Sequence, residues 1–295
     1  VDTLRIDHRP ELKNPVAVLA FAGWNDAASA ATNTARFIVR RLGARRFASL
    51  DPETFYDFTE SRPHVRISAS GERHVDWPAN DLFFARNPTG PHDIVVAIGV
   101  EPNLRWRTFA ETHTRLLQEL GVELVISLGA LLADVPHTRP PRVTGSANDP
   151  AVAERLNLTR SRYQGPTGIV GILHGALSDT SLASMSLWAN VPHYITTSQN
   201  PPATVALLER LEDLLGLSFD YTDLKLAGQR FVSEVNAAIS SGNPELIDYV
   251  RKLEEAIDSG AEDQGEQSES SALPAAEDVV LDIEAFLRSQ REDGD

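Results

Sequence analysis

Continuous apolar runs of strand length alternate with helical stripes along most of this chain. The run VAVLAFA, within residues 15–22, has no polar interruption, as expected of a strand buried on both faces. DIVVAIG (93–99) and VELVISLG (122–129) repeat it. After the first run, Ala27, Ala30, Ala31, Thr34, Ile38 and Leu42 fall on one stripe at helical spacing. Between the second and third runs, Trp106, Phe109, Ala110, His113, Leu116, Leu117 and Leu120 form another. Strand, helix and strand in this order predict a right-handed crossover in a parallel sheet.

GIVGILHGA (168–176) reads as a further buried strand, and SMSLWANVPHYI (184–195) as a shorter one. Asn200-Pro201 then opens a helix with the stripe Val205, Leu208, Leu211 and Leu215. Residues 51–90 hold short strand-like pieces, HVRIS and DLFFA, among Pro, Asn and Gly, which predicts an antiparallel extension or edge. Beyond Asp220 the pattern is helical, in LAGQRFVSEVNAAIS and NPELIDYVRKLEEAI. The expected fold is α/β: three layers, a mostly parallel sheet with helices on both faces, plus C-terminal helices.

The pattern changes near residue 256. Residues 1–255 form a single α/β domain in this reading, and 256–275 an acidic, low-hydrophobicity linker expected to be disordered. Residues 276–295 follow as an amphipathic tail helix carrying Val279, Val280, Ile283, Phe286 and Leu287. Charge follows the same division. The chain carries a net charge of −15, and from Glu254 onward fourteen acidic residues face only Arg288 and Arg291, a net of −12. The body is left near −3 and shows no basic stripe, so nucleic acid is not an expected partner. No apolar stretch approaches the roughly 18 residues that would cross a bilayer. There is no cysteine, which excludes disulfides and thiolate chemistry and fits a cytoplasmic protein.

Candidate chemistry is sparse. The chain contains no phosphate-binding Walker loop, no dinucleotide fingerprint, no H-E-x-x-H and no nucleophile elbow. Gly165, Gly168 and Gly171 recur every third residue, which suits a turn better than a phosphate loop. The eight histidines show no metal-ligand spacing, and His113 and His174 read as structural. No cofactor and no metal are expected, and enzymatic activity is not favoured.

One corner stands out, Gly23-Trp24-Asn25-Asp26, where the first strand meets its helix. Gly23 permits the sharp turn. Asn25 or Asp26 can cap the helix, and Asp26 suits its positive end. Trp24 can close the end of the sheet. The same residues sit where parallel sheets bind ligands, outside the carboxyl ends of strands. GALLADVPH, after the third run, falls at the same end. Gly23, Trp24, Asn25, Asp26, Gly129, Asp134 and His137 are therefore the candidate pocket.

FAGWNDA (21–27), SLGALLADVPHTRP (127–140), GPTGIVGILH (165–174) and SLWANVPHY (186–194) occur in an order that resembles the proteasome assembly chaperone type 2 family, in its actinobacterial branch. The resemblance implies a three-layer phosphorylase/hydrolase-like α/β fold and a homo-oligomer, for which a trimer is the preferred expectation. It also implies protein binding or assembly as the function, with a protein complex as partner. The alternative is a small-molecule binder or enzyme, for a nucleoside- or phosphate-like ligand in the strand-end pocket. Chaperones of this class often dock through a terminal hydrophobic–Tyr–any-residue motif. The last residues here, REDGD, carry no aromatic, which argues against that docking mode. Phe83, Phe84 and Trp77 are the expected anchors of a subunit interface in the 51–90 region.

Overall fold

The computed structural model describes residues 3–88, 90–148, 150–155, 158, 164–241, 244–260 and 281–282. In chain order it begins with β1 (Leu4–Ile6), β2 (Val16–Ala22), α1 (Ala30–Arg41), β3 (Arg45–Leu50) and the short α2 (Pro52–Phe55). Next come β4 (His64–Ile67), β5 (Arg73–Asp76), β6 (Asn80–Ala85), β7 (Ile94–Val100), α3 (Trp106–Glu119) and β8 (Leu124–Ala133). They are followed by β9 (Val143–Ala147), α4 (Pro150–Arg155), α5 (Ile169–Ser178), β10 (Ala183–Pro192) and β11 (Ile195–Thr196). The last elements are α6 (Pro201–Leu215), α7 (Thr222–Ser240), α8 (Pro244–Asp258) and β12 (Leu281–Asp282).

Eight strands form one sheet in the order β1-β3-β6-β7-β2-β8-β10-β9. Three of its seven junctions, β7–β2, β2–β8 and β8–β10, are parallel, and the other four are antiparallel. The sheet is therefore mixed, which corrects the expectation of a mostly parallel one. The reason is visible between β6 and β7. Only eight residues connect them, and a parallel junction needs a crossover of a dozen or more.

The alternating side chains of β2 divide the core in two. Val16, Val18 and Ala20 join Ala30, Ala31 and Ile38 of α1 and Leu207, Leu208 and Leu211 of α6 on one face. Ala17, Leu19 and Phe21 join Phe109, Leu116 and Leu117 of α3 with Ile169, Leu173 and Leu177 of α5 on the other. Both faces of the central strands are covered, which is why their sequences lack polar alternation.

Residues 168–176, expected as a strand, are instead the N-cap and most of α5. Ile169, Val170, Leu173 and Leu177 are its buried residues, at helical spacing. A short apolar run does not distinguish a buried strand from a buried helix. His174 thus lies within a helix. β10, expected to be short, has ten residues and pairs with β8 along its whole length.

In the 51–90 region, β6 is an interior strand, so Phe84 is buried in the core and Phe83 packs partly into it. Neither is a free anchor. Trp77 is exposed beside Phe58, at the foot of the separate β4–β5 hairpin. A third cluster, including Tyr194, Phe231, Val235, Leu246 and Val250, holds the α7 and α8 helices to the body. Val279, Val280, Ile283, Phe286 and Leu287 lie outside the described residues. Between them, Leu281 and Asp282 are extended and pair in parallel with Ile195 and Thr196. Among the described residues, no helix is long and apolar enough to cross a membrane.

Candidate functional site

The corner after β2 is built by an unusual backbone. Gly23 has a φ of +137°, and a Cβ there would lie 2.9 Å from Glu101 Cβ. Ala28 and Ser29, neither of them glycine, follow at φ +49° and +52°. Two consecutive left-handed residues each carry a strain of about 1–3 kcal/mol. Asp26 reaches over them. Its Oδ1 accepts the backbone N–H of Ala31 at 2.8 Å and of Thr32 at 3.3 Å. Thr32 Oγ1 donates to its Oδ2 at 2.5 Å. Ser29, in the N-cap position of α1, makes no side-chain cap. Asp26 is therefore the cap of α1, but from three residues further back than an ordinary N-cap. Burial pushes its carboxyl above the usual 3.8, and the bonds from Thr32 and Ala31 act against that shift.

Glu101, immediately after β7, closes the other side of the corner. Its Oε1 accepts the N–H of Ile169, the first residue of α5, at 2.7 Å. Its Oε2 receives the N–H of Trp24 at 3.4 Å. Asn25 lies between these groups. Its backbone carbonyl accepts from Ala130 at 2.8 Å, while its buried Oδ1 has no hydrogen-bond partner. Trp24 is 64% exposed. The corner stands at the carboxyl end of β2, with β7 on one side and β8 on the other. Successive strands lie on opposite sides of β2 here, as at the switch points of doubly wound sheets.

The structure separates the remaining candidates from this corner. β8 continues past Gly129 to Ala133, so Asp134 stands four residues beyond Ala130, roughly 13 Å along an extended strand. A Cβ on Gly129 would overlap the Trp188 ring, its neighbour across the β8–β10 register. Gly129 therefore serves packing. Asp134 is exposed, 3.0 Å from His193 Nδ1, and accepts from Tyr249 at 3.1 Å. His137 is buried with both ring nitrogens engaged, Nδ1 by Tyr194 Oη at 2.7 Å and Nε2 by Asn236 Oδ1 at 3.0 Å. Tyr194 Oη also accepts the His137 N–H at 2.9 Å, so it donates to Nδ1, and Nε2 carries the proton. Burial lowers the His137 pKa. These residues fasten α7 and α8 to the strand ends. A cleft of about 310 Å³ lies beside them, with His137, Arg139, Asn190, Asn200 and Phe231 in its walls. Arg139 is already paired with Glu254 and Asp258.

Glu101 is the residue that sequence reasoning missed. A lone glutamate after AIGV carries no pattern of its own. Its signal was positional, as the first carboxylate after a buried strand, at the same sheet end as Asp26. Among the described residues, no group of three or more His, Asp or Glu side chains is placed to hold a metal.

The PAC2 family profile matches residues 20–239. A PAC2 family protein from Streptomyces avermitilis is 42% identical with a TM-score of 0.74, over 80% of this chain and 99% of that one. A Mycobacterium tuberculosis proteasome-assembly chaperone homologue is 39% identical with a TM-score of 0.72, over 80% and 99%. A Corynebacterium glutamicum protein of unknown function is 26% identical with a TM-score of 0.79, over 89% and 99%. No functionally curated protein matches the sequence.

Proposed function

The chain belongs to the PAC2 family, and from that premise we propose that it is a non-catalytic, protein-binding component of the proteasome-assembly-chaperone type. The carboxyl rim of the sheet is its binding surface. One observation carries this reading. Trp24 after β2, Leu104 after β7, and Leu131 and Leu132 of β8 are exposed large hydrophobic residues at the ends of three adjacent strands. Large apolar side chains left exposed at one end of a sheet are candidates for burial against a partner. The titratable groups near the rim are committed to the fold: Asp26 caps α1, Glu101 caps α5, and His137 is bonded at both nitrogens. None is paired as a nucleophile with a base. The description of the M. tuberculosis relative as a proteasome-assembly chaperone homologue supports the same reading.

The test is surface plasmon resonance of the immobilised full chain against purified α-type proteasome subunits. Saturable binding is expected, weakened at least about tenfold by Leu104→Asp and Leu132→Asp with the melting temperature unchanged. No binding by the native chain, or equal binding by both variants, overturns it.

The 310 Å³ cleft favours a second reading, a small-molecule site beside α7 and α8. A thermal shift of the full chain with nucleosides, abolished by Phe231→Trp, would establish it. At the corner itself a phosphate-like ligand is disfavoured, because Glu101 already places a carboxylate on the N-terminus of α5.

A further inference from the structure

We propose that the cleft beside α7 and α8 is the docking site of this chain's own C-terminal segment, with Ile283, Phe286 and Leu287 as the side chains that fill it. Ile195 and Thr196 of β11 pair in parallel with Leu281 and Asp282, and among the described residues β12 is the one strand on β11. The end of the chain is thereby held against the segment that joins β10 to α6. The ladder is only two residues long. So short a pairing does not offset the backbone order it costs, because a hydrogen bond exchanged with water yields little net stability. Apolar burial close by has to supply the rest.

The direction of the pairing says where. Parallel strands leave their last pair heading the same way, so the residues after Asp282 follow the course of Thr197 to Asn200. Asn200 and Pro202 stand in the wall of the cleft. Asn200 is four residues beyond Thr196, and Phe286 is four residues beyond Asp282, a reach of roughly 13 Å in each case. Pro136, Pro192 and Phe231 add apolar surface to the walls. The volume of about 310 Å³ is at the small end for a ligand pocket, roughly 300–1,000 Å³, and suits a few apolar side chains. The connection fits as well. Gly260, just after α8, lines the same cleft, and twenty residues separate it from Leu281. A coil of that length spans roughly 22–27 Å, so the segment reaches the cleft of its own molecule. The proposal goes beyond both readings above, since neither the rim hydrophobics nor a small molecule takes part in it.

The chain has no cysteine, so introduced pairs report position without background. Ala285→Cys with Pro202→Cys, in the full-length protein treated with a short bismaleimide, should cross-link within one chain on a denaturing gel. The reaction should be at least about tenfold faster than for Ala285→Cys with Ser70→Cys, a control at the exposed turn of the β4–β5 hairpin. Ile257→Cys, on α8, gives a second wall position if Pro202→Cys disturbs the fold. Adding Ile283→Asp and Phe286→Asp should remove the rate advantage at either wall position. Cross-links between chains would make a second copy the occupant and overturn the proposal. So would equal rates at the wall and the hairpin, or a wall rate that the double substitution leaves unchanged.

Discussion

Glu101 Oε1 accepts the backbone N–H of Ile169 at 2.7 Å, joining the end of β7 to the start of α5 across 68 residues of sequence. The carboxylate does the work of a helix cap from a distant strand, and it also fixes the Trp24 backbone. Glu101→Ala should therefore cost about 1.5–3 kcal/mol, the range for a hydrogen bond to a charged group. Glu101→Gln, which retains the acceptor, should cost about 1 kcal/mol or less. Urea denaturation of the three proteins decides it. Equal stabilities would show that the contact contributes nothing.

At the same corner, Asp26→Asn should be nearly silent at neutral pH. The amide oxygen can accept from Ala31 and Thr32, and its NH₂ can donate to Thr32 Oγ1 once that hydroxyl turns. Asp26→Ala strands buried donors and should cost about 2–3 kcal/mol. The pH dependence has a definite sign. Burial raises the folded-state pKa of Asp26 above 3.8, so the folded protein takes up the proton first. The stability linked to this proton is full below the unfolded value and is lost as pH rises through the folded one. Acidification through that window should therefore stabilise the native chain relative to Asp26→Asn. Chemical denaturation at pH 7, 5 and 4 tests the sign.

How much of this corner was legible beforehand depended on the range of the interaction. Gly23 at the turn and Asp26 on the helix could be read locally, because a strand end, a glycine and a capping residue are adjacent in sequence. The displaced cap could not, since Ala28 and Ser29 adopt left-handed geometry without being glycine. Glu101 and Ile169 lay beyond any window. The buried strands β2, β7 and β8 declared themselves by mainly apolar runs without regular polar alternation, but α5 did so equally, and it packs against α3. Asp134 and His137 resemble corner residues in the sequence because they follow a strand of the same sheet. The extension of β8 to Ala133 carries them to the α7–α8 contact instead.

His113 provides an acid-sensitive element in the core. It packs against Phe21 and Phe109, donates Nδ1–H to the Phe109 carbonyl at 2.9 Å, and leaves Nε2 buried without a partner. Burial lowers its pKa from 6.5 to about 4. The unfolded chain therefore binds the proton first, and stability present above 6.5 is lost as pH falls toward 4. The loss is on the order of 3 kcal/mol. His113→Phe should flatten the stability profile over this range while leaving the neutral melting temperature within a few degrees. An unchanged acid transition would assign the sensitivity elsewhere.

The β4–β5 hairpin gives the assembly prediction. Val65 faces Val75 across the register, and Ile67 lies two residues from Val65 on the same side. All three are exposed, as is Trp77 just beyond β5. The opposite side carries the Arg66–Asp76 ion pair, so the ribbon has one apolar and one charged face. Every residue of both strands is exposed, and an isolated two-stranded ribbon is marginal in water. A second copy of the chain covering the apolar face would bury these side chains at roughly 1.5–3 kcal/mol each. That is enough for a specific contact if the ribbon docks on a matching surface. The expected species is a homo-oligomer, with a trimer the preferred stoichiometry, and the hairpin replaces Phe83 and Phe84 as the source of its anchors. Val65→Asp with Val75→Asp should reduce the mass measured by light scattering at micromolar concentration to that of one chain. The melting temperature of the body should change little, because no core residue is touched. A native protein that is already monomeric, or a double variant that keeps the oligomeric mass, would show that the hairpin is not the interface.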